Sequence, residues 1–217
     1  MELPSTPAEF LQVFAEYNRA MWPAVIALWL TTAVLLLRSV RSCHPAEQNG
    51  WINILLAVHW IWSGLVYHGL FFARINPAAR LFAILFLMQG CFFLWFGFHK
   101  NRVHYRTALS DTWAVLGGFL VLYAMAYPAV ALLGAPRYPS VPVFAVPCPT
   151  TILTSGLLLM SVPRPPIFLV VIPIVWSLIG TWAAFLFAIS ADWALAVAGF
   201  ALLAASMAPK KVGIIGP

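Results

Sequence analysis

Two short boxes in this chain carry residue types that could do chemistry. The first is Tyr67-His68-x-x-x-Phe72-Ala73-Arg74-Ile75-Asn76-Pro77, and the second is Val146-Pro147-Cys148-Pro149-Thr150-Thr151. An imidazole and a thiol would suit a soft metal ion, or a nucleophile with its base. Arg74 with a helix N-terminus would instead suit an anion. His68 and Cys148 are therefore the candidate metal ligands. His68, Arg74, Cys148, Thr150 and Thr151 are candidate solute-binding residues. Tyr127, four residues after Tyr123, and Ser177, on a small face with Gly180 and Thr181, could line the same space.

Each of these residues also has a plainer reading. Arg74 can snorkel to phosphate headgroups. Asn76 with Pro77 can cap the next helix. His68 can be a buried neutral histidine, and Cys148 an inert thiol at a kink. His59, nine residues before His68, lies half a turn out of phase at ~100° per residue, so the two share no face. It shares a face with Ser63 and reads as a satisfied core histidine.

The elements that must position these residues are membrane-spanning. Hydrophobic residues make up 63% of the 217 positions and charged residues only 8%. Seven apolar stretches fill the chain, near 20–37, 51–72, 78–98, 113–134, 143–162, 167–189 and 192–208. Most approach the ~20 residues that cross the hydrocarbon. Trp22, Trp51, Trp113 and Trp193 stand at span starts as interfacial anchors. Residues 5–18 read as an interfacial amphipathic helix, with Thr6 and Glu9 as a capping box and Phe10, Leu11, Phe14 and Tyr17 as its apolar stripe. The fold class is an all-α integral membrane bundle of about seven transmembrane helices in one domain.

The fifth span is expected to be broken at its Pro-Cys-Pro box. Pro147 and Pro149 remove donors, and residues before proline avoid the α region. A helix starting at Pro149, with Cys148 near its N-cap, would favour the thiolate.

Orientation follows from the basic residues. With the N-terminus outside, the inner loops hold Arg38, Arg41, Lys100, Arg102, Arg106, Arg164, Lys210 and Lys211. The outer loops hold Arg19, Arg74, Arg80 and Arg137, which favours N-outside and C-inside. In that topology both boxes fall in the outer half of the bilayer.

Several classes are excluded. The net charge of +6 sits in short loops, so lipid headgroups explain it and nucleic acid is not a partner. All three lysines lie outside the spans, so no retinal Schiff-base lysine is expected. No acidic residue sits centrally in a span, which argues against a pump with a carboxylate relay. Cys43, Cys91 and Cys148 are scattered and form no disulfide or zinc pattern. Glu2, Glu9 and Glu16 precede the first span where a signal peptide would be basic.

The two boxes, with Glu2-Leu3-Pro4, Phe10 and Ile172-Pro173-x-x-Trp176-Ser177-Leu178-Ile179-Gly180, together resemble an uncharacterised bacterial multi-pass membrane family, domain of unknown function 6064. The resemblance covers almost the full chain. It implies a membrane bundle in the bacterial inner membrane and carries no activity or cofactor. Three functions stay open. One is binding or transport of a small solute or soft metal ion at an outward-facing pocket. Another is a membrane-embedded enzyme with Cys148 and His68, and the third is a non-catalytic accessory subunit. The lipid bilayer is the one partner the composition requires.

Overall fold

The computed structural model describes residues 6–41, 45–96, 103–105, 111–133 and 137–208, with only the backbone of 45–48. Cys43, Lys100, Arg102, Arg106, Lys210 and Lys211 lie outside the described residues. The described chain is all-α, with one two-residue strand pair. The helices are α1 (Pro7–Arg41), α2 (Pro45–Trp62), α3 (Ala79–Trp95), α4 (Thr112–Leu133), α5 (Pro147–Leu159), α6 (Ile167–Phe187) and α7 (Ala194–Met207). Five segments are long and apolar enough to cross a membrane: Pro7–Arg41, Asn49–Arg74, Thr112–Leu133, Ile167–Phe187 and Ser190–Met207. Helices α3 and α5 are apolar but shorter.

Helix α1 joins what the sequence reads as an interfacial helix and a first span. Its start is a capping box, with Thr6 N donating to Glu9 Oε2 at 2.7 Å and Glu9 N to Thr6 Oγ1 at 3.2 Å. Nothing then stops the helix. No glycine intervenes, and Asn18 spends its amide on distant carbonyls instead of capping a new turn. The 35 residues extend about 52 Å at 1.5 Å per residue. The first turns do not lie free on a membrane surface. Phe10 stacks on Phe187 at 4.0 Å, and Phe14 and Tyr17 pack on Tyr67. The later turns present Trp22, Ile26, Leu30, Val34 and Leu37 outward, as a lipid-facing helix should.

Helix α2 continues without a break into a π-helical segment, Ser63–Phe71, and a 3-10 turn, Phe72–Arg74. Asn76-Pro77 ends it, and Asn76 Oδ1 accepts from Ala78 N at 3.0 Å. At the other end of α2, strands β1 (His104–Tyr105) and β2 (Ser161–Val162) pair antiparallel. Asn49 and Asn53 dock β1: Tyr105 N donates to Asn49 Oδ1 at 2.9 Å and Tyr105 Oη to Asn53 Oδ1 at 2.7 Å. Burial pushes the Tyr105 phenol far above its ordinary value.

Helix α5 is the centre of the bundle, and every residue from Pro149 to Leu159 is buried. Its 13 residues cover about 20 Å, less than the ~30 Å hydrocarbon. The residues 137–146 that lead into it are not helical, yet Val141, Phe144, Ala145 and Val146 are buried. Irregular backbone at such depth must find its hydrogen bonds in protein. Asn18 Nδ2 donates to Pro139 O at 2.6 Å and to Val141 O at 2.8 Å. Ser63 Oγ donates to Ala145 O at 3.1 Å, across from a residue held at φ 64°.

The start of α5 differs from the reading of the Pro-Cys-Pro box. Val146 is the N-cap and Pro147 the first helical residue, so the helix begins two residues earlier and Cys148 lies in its first turn. The reason is that the first four N–H groups of a helix have no intrahelical acceptor, so two prolines there forfeit nothing.

Helices α4 and α5 meet through paired glycines. A Cβ on Gly117 would stand 2.5 Å from Gly156 O, and one on Gly156 would stand 2.7 Å from Gly117 O. Small residues at such crossings let backbones touch.

Two predictions follow the fold. Gly156→Leu should lower the stability measured by denaturant unfolding in detergent by at least ~1–3 kcal/mol, the usual cost of overpacking. Gly118→Ala, whose Cβ meets nothing within 4 Å, should be neutral or mildly stabilising. Asn18→Leu should cost roughly 1–3 kcal/mol for each carbonyl it orphans, and an unchanged midpoint would show that the 137–146 segment does not need this clamp.

Candidate functional site

Around the first turn of α5 the structure gathers side chains from four other elements. The chain turns from α6 into α7 through a 3-10 segment, Ser190–Trp193, which places Asp192 inside the protein at 3% exposure. Tyr127 of α4 donates a hydrogen bond from Oη to Asp192 Oδ1. The Cys148 thiol lies near that carboxylate. Tyr123, one turn before Tyr127, donates to Ala191 O at 2.8 Å and so fixes the turn that carries Asp192. The carboxylate thus stands by the N-terminal turn of α5, where a helix dipole favours negative charge.

Asp192 escapes a sequence reading that looks for acids in the middle of spans. It lies at the first residue of the seventh apolar stretch, where an acid reads as interfacial. The fold carries it inward by folding the α6–α7 connection onto α4 and α5. The available signal was Ser190-Ala191-Asp192-Trp193, a lone acid without a basic neighbour between two apolar runs. The expectation that no acidic residue sits centrally in a span concerns position along the chain, and Asp192 stands at a span's start; it is the fold that buries it.

Trp176 of α6 connects this centre to His68. A Cβ on Gly180 would stand 3.7 Å from both Cys148 Sγ and Trp176 Nε1, which places the sulfur and the indole side by side at this glycine, and only 2.5 Å from Leu195 Cδ1, which is the contact that needs it. The indole N–H lies beside the sulfur without the geometry of a normal hydrogen bond. The Trp176 ring packs edge-on against the His68 imidazole at 5.1 Å. His68 is fully buried among aromatic rings, with Phe86 at 4.9 Å and Phe82 at 5.7 Å. Neither ring nitrogen has a hydrogen-bond partner.

The other predicted residues divide. Tyr127 joins Cys148 through Asp192. Ser177 is buried next to Trp176, with its hydroxyl unpartnered. Thr150 meets Ser63 at 3.3 Å, and Thr151 donates to Pro147 O at 2.9 Å, so both hydroxyls serve the start of α5. Arg74 is exposed, pairs with Glu16 at 3.3 Å and lies over Phe71. It is a surface tie to α1, outside the buried cluster. His59 is a satisfied core histidine as expected, but its partners are Thr32 Oγ1 and Leu55 O, while Ser63 turns to Ala145 O.

As a metal centre the cluster is short of ligands. Among the described residues no three His, Cys, Asp or Glu side chains gather around one point. As a nucleophile with its base it lacks the pairing, because Cys148 faces a carboxylate and His68 has no hydrogen bond. What remains is a buried carboxylate held by the neutral Tyr127 hydroxyl. Among the described residues the ion pair formed is Arg74–Glu16, at the surface.

A family model described as a family of unknown function, DUF6064, matches residues 7–212. The chain belongs to that family. No curated protein and no solved structure matches it. The match takes in every element of the cluster, from the first turns of α1 to the end of α7.

The Tyr127–Asp192 contact should show in a double-mutant cycle. Tyr127→Phe and Asp192→Asn, alone and together, should give a coupling of roughly 0.5–3 kcal/mol in detergent unfolding. Additive effects would mean that the two side chains do not meet.

Proposed function

We propose that this family member is a multi-pass membrane protein that binds a small cation, the proton included, in the outer half of the bilayer and passes it through the bundle. One observation carries the reading: Asp192 is buried with the neutral Tyr127 hydroxyl donating to it and no cationic partner among the described residues. A lone buried carboxylate is expensive unless it takes up a proton or a counter-ion. Ionisable groups at membrane depth mark ion paths and proton relays. The half-helix α5, approached by buried irregular backbone, is the kind of element transporters use for such sites. The nearby Tyr67, Tyr123 and Trp176 rings add faces that suit a cation. This replaces the soft-metal form of the solute reading, whose ligand set is too small, and it gives Cys148 and Tyr127 the role of donors to Asp192.

The same proposal includes seven spans with the N-terminus outside and the C-terminus inside, in a bacterial inner membrane. Helix α5 and the 137–146 segment then share one crossing. A second reading, the accessory subunit, is favoured by the close aromatic packing of His68 against Phe82, Phe86 and Trp176.

Proteoliposomes loaded with a pH-sensitive dye test the proposal. Under a potassium diffusion potential the wild-type protein should admit protons at least tenfold faster than Asp192→Asn, with Asp192→Glu retaining part of the flux. Equal rates for wild type, Asp192→Asn and empty vesicles would remove the proton-carrying role and leave the accessory reading as the better one.

A further inference from the structure

We propose that a groove between α1 and α4 binds one acyl chain of an anionic phospholipid, with Arg19 and Arg137 holding its phosphate. The groove encloses about 480 Å³ and is almost wholly apolar, with Trp22 and Trp29 of α1 on one wall, Met125 and Ala129 of α4 on the other, and Phe144 at its floor. It exists because α1 packs on α2 and the π-helical segment while α4 packs on α5. Hydrogen bonds from two side chains bracket it. Trp29 Nε1 donates to Met125 O at 2.9 Å at one end, and Asn18 holds the 137–141 backbone at the other.

Length and charge identify the occupant. From Asn18 to Trp29 the groove follows eleven residues of α1, about 16 Å at 1.5 Å per residue. That is close to half of the ~30 Å hydrocarbon, the depth of one leaflet. At the Asn18 end, Arg19 follows one lining residue and Arg137 precedes another, Tyr138, and both arginines are exposed. Neither forms an ion pair among the described residues. Trp22 and Tyr138 stand at that same end, where amphipathic rings occupy the headgroup level. An apolar slot one leaflet deep, with two exposed arginines adjoining the residues that line one end, matches a phospholipid bearing net negative charge, and not a free anion, which would leave the slot unfilled.

Native mass spectrometry of the full chain, released from nanodiscs of equal phosphatidylglycerol and phosphatidylcholine, tests this. The wild type should retain a phospholipid, with phosphatidylglycerol preferred about 25-fold, since each of the two basic side chains near an anionic lipid is worth roughly fivefold. Arg19→Gln with Arg137→Gln should retain both lipids equally. Ala129→Trp, a change at an exposed position that fills the groove, should retain neither. Val197→Trp, exposed on α7, should behave as wild type. Equal retention of the two lipids by wild type, or undiminished retention by Ala129→Trp, would overturn the proposal.

Discussion

A stretch of non-helical backbone inside a membrane protein must have its carbonyls satisfied by the protein, and residues 137–146 make that demand here. The answer comes from two polar residues far away in sequence. Asn18 takes the carbonyls of Pro139 and Val141, and Ser63 takes that of Ala145. Both responders sit where ordinary helix statistics would not retain them. Asn18 is mid-helix in α1 and Ser63 opens a π-helical segment. Because the segment is held, α5 can start deep and short, and its first turn can meet the Asp192 turn, α4 and α6.

That arrangement assigns the costs. Prolines at the first and third positions of α5 forfeit no hydrogen bond, since those N–H groups would be free in any helix. The free N–H groups and the dipole end then stand beside Asp192. The glycine crossing of α4 and α5 brings Tyr127 close enough to hydrogen-bond the carboxylate. A larger residue at Gly117 or Gly156 would act at a distance on the polar cluster, by moving α4 away from the turn that carries Asp192.

How much of this was legible in the sequence differs by residue. The all-α character with several membrane-length apolar helices followed from composition, and a helix start near the Cys148 box followed from its prolines, two residues off. Tyr127 was visible as a polar residue on an otherwise apolar helix. Asp192 was not, because its position at a span edge hides the inward fold of the α6–α7 connection. Arg74 was read as a site residue because it closes a helix beside His68. The π-helical turns and the 3-10 turn after it instead carry Arg74 to the surface, beside Glu16. Thr150 and Thr151 were read as ligands because they flank the cysteine. Their hydroxyls are consumed by Ser63 and Pro147, a use that only the packing of α2 on α5 reveals.

His68 decides between function and architecture. Leaving a buried polar atom unpaired costs on the order of 1–3 kcal/mol, and both of its ring nitrogens are unpaired. The segment that presents it, Ser63–Phe71, is π-helical, a form that is rare and concentrates at functional positions. A purely structural role would be served as well by a phenylalanine, which fills an aromatic cage with no orphaned atoms. Two unfavourable features on one segment, one ring away from a thiol that faces a buried carboxylate, favour a residue kept for what it binds or passes on. The imidazole is the one group of the cluster that can carry a proton at either of two nitrogens. Its contact with Trp176, which also borders Cys148, places it one packed ring away from the thiol beside Asp192.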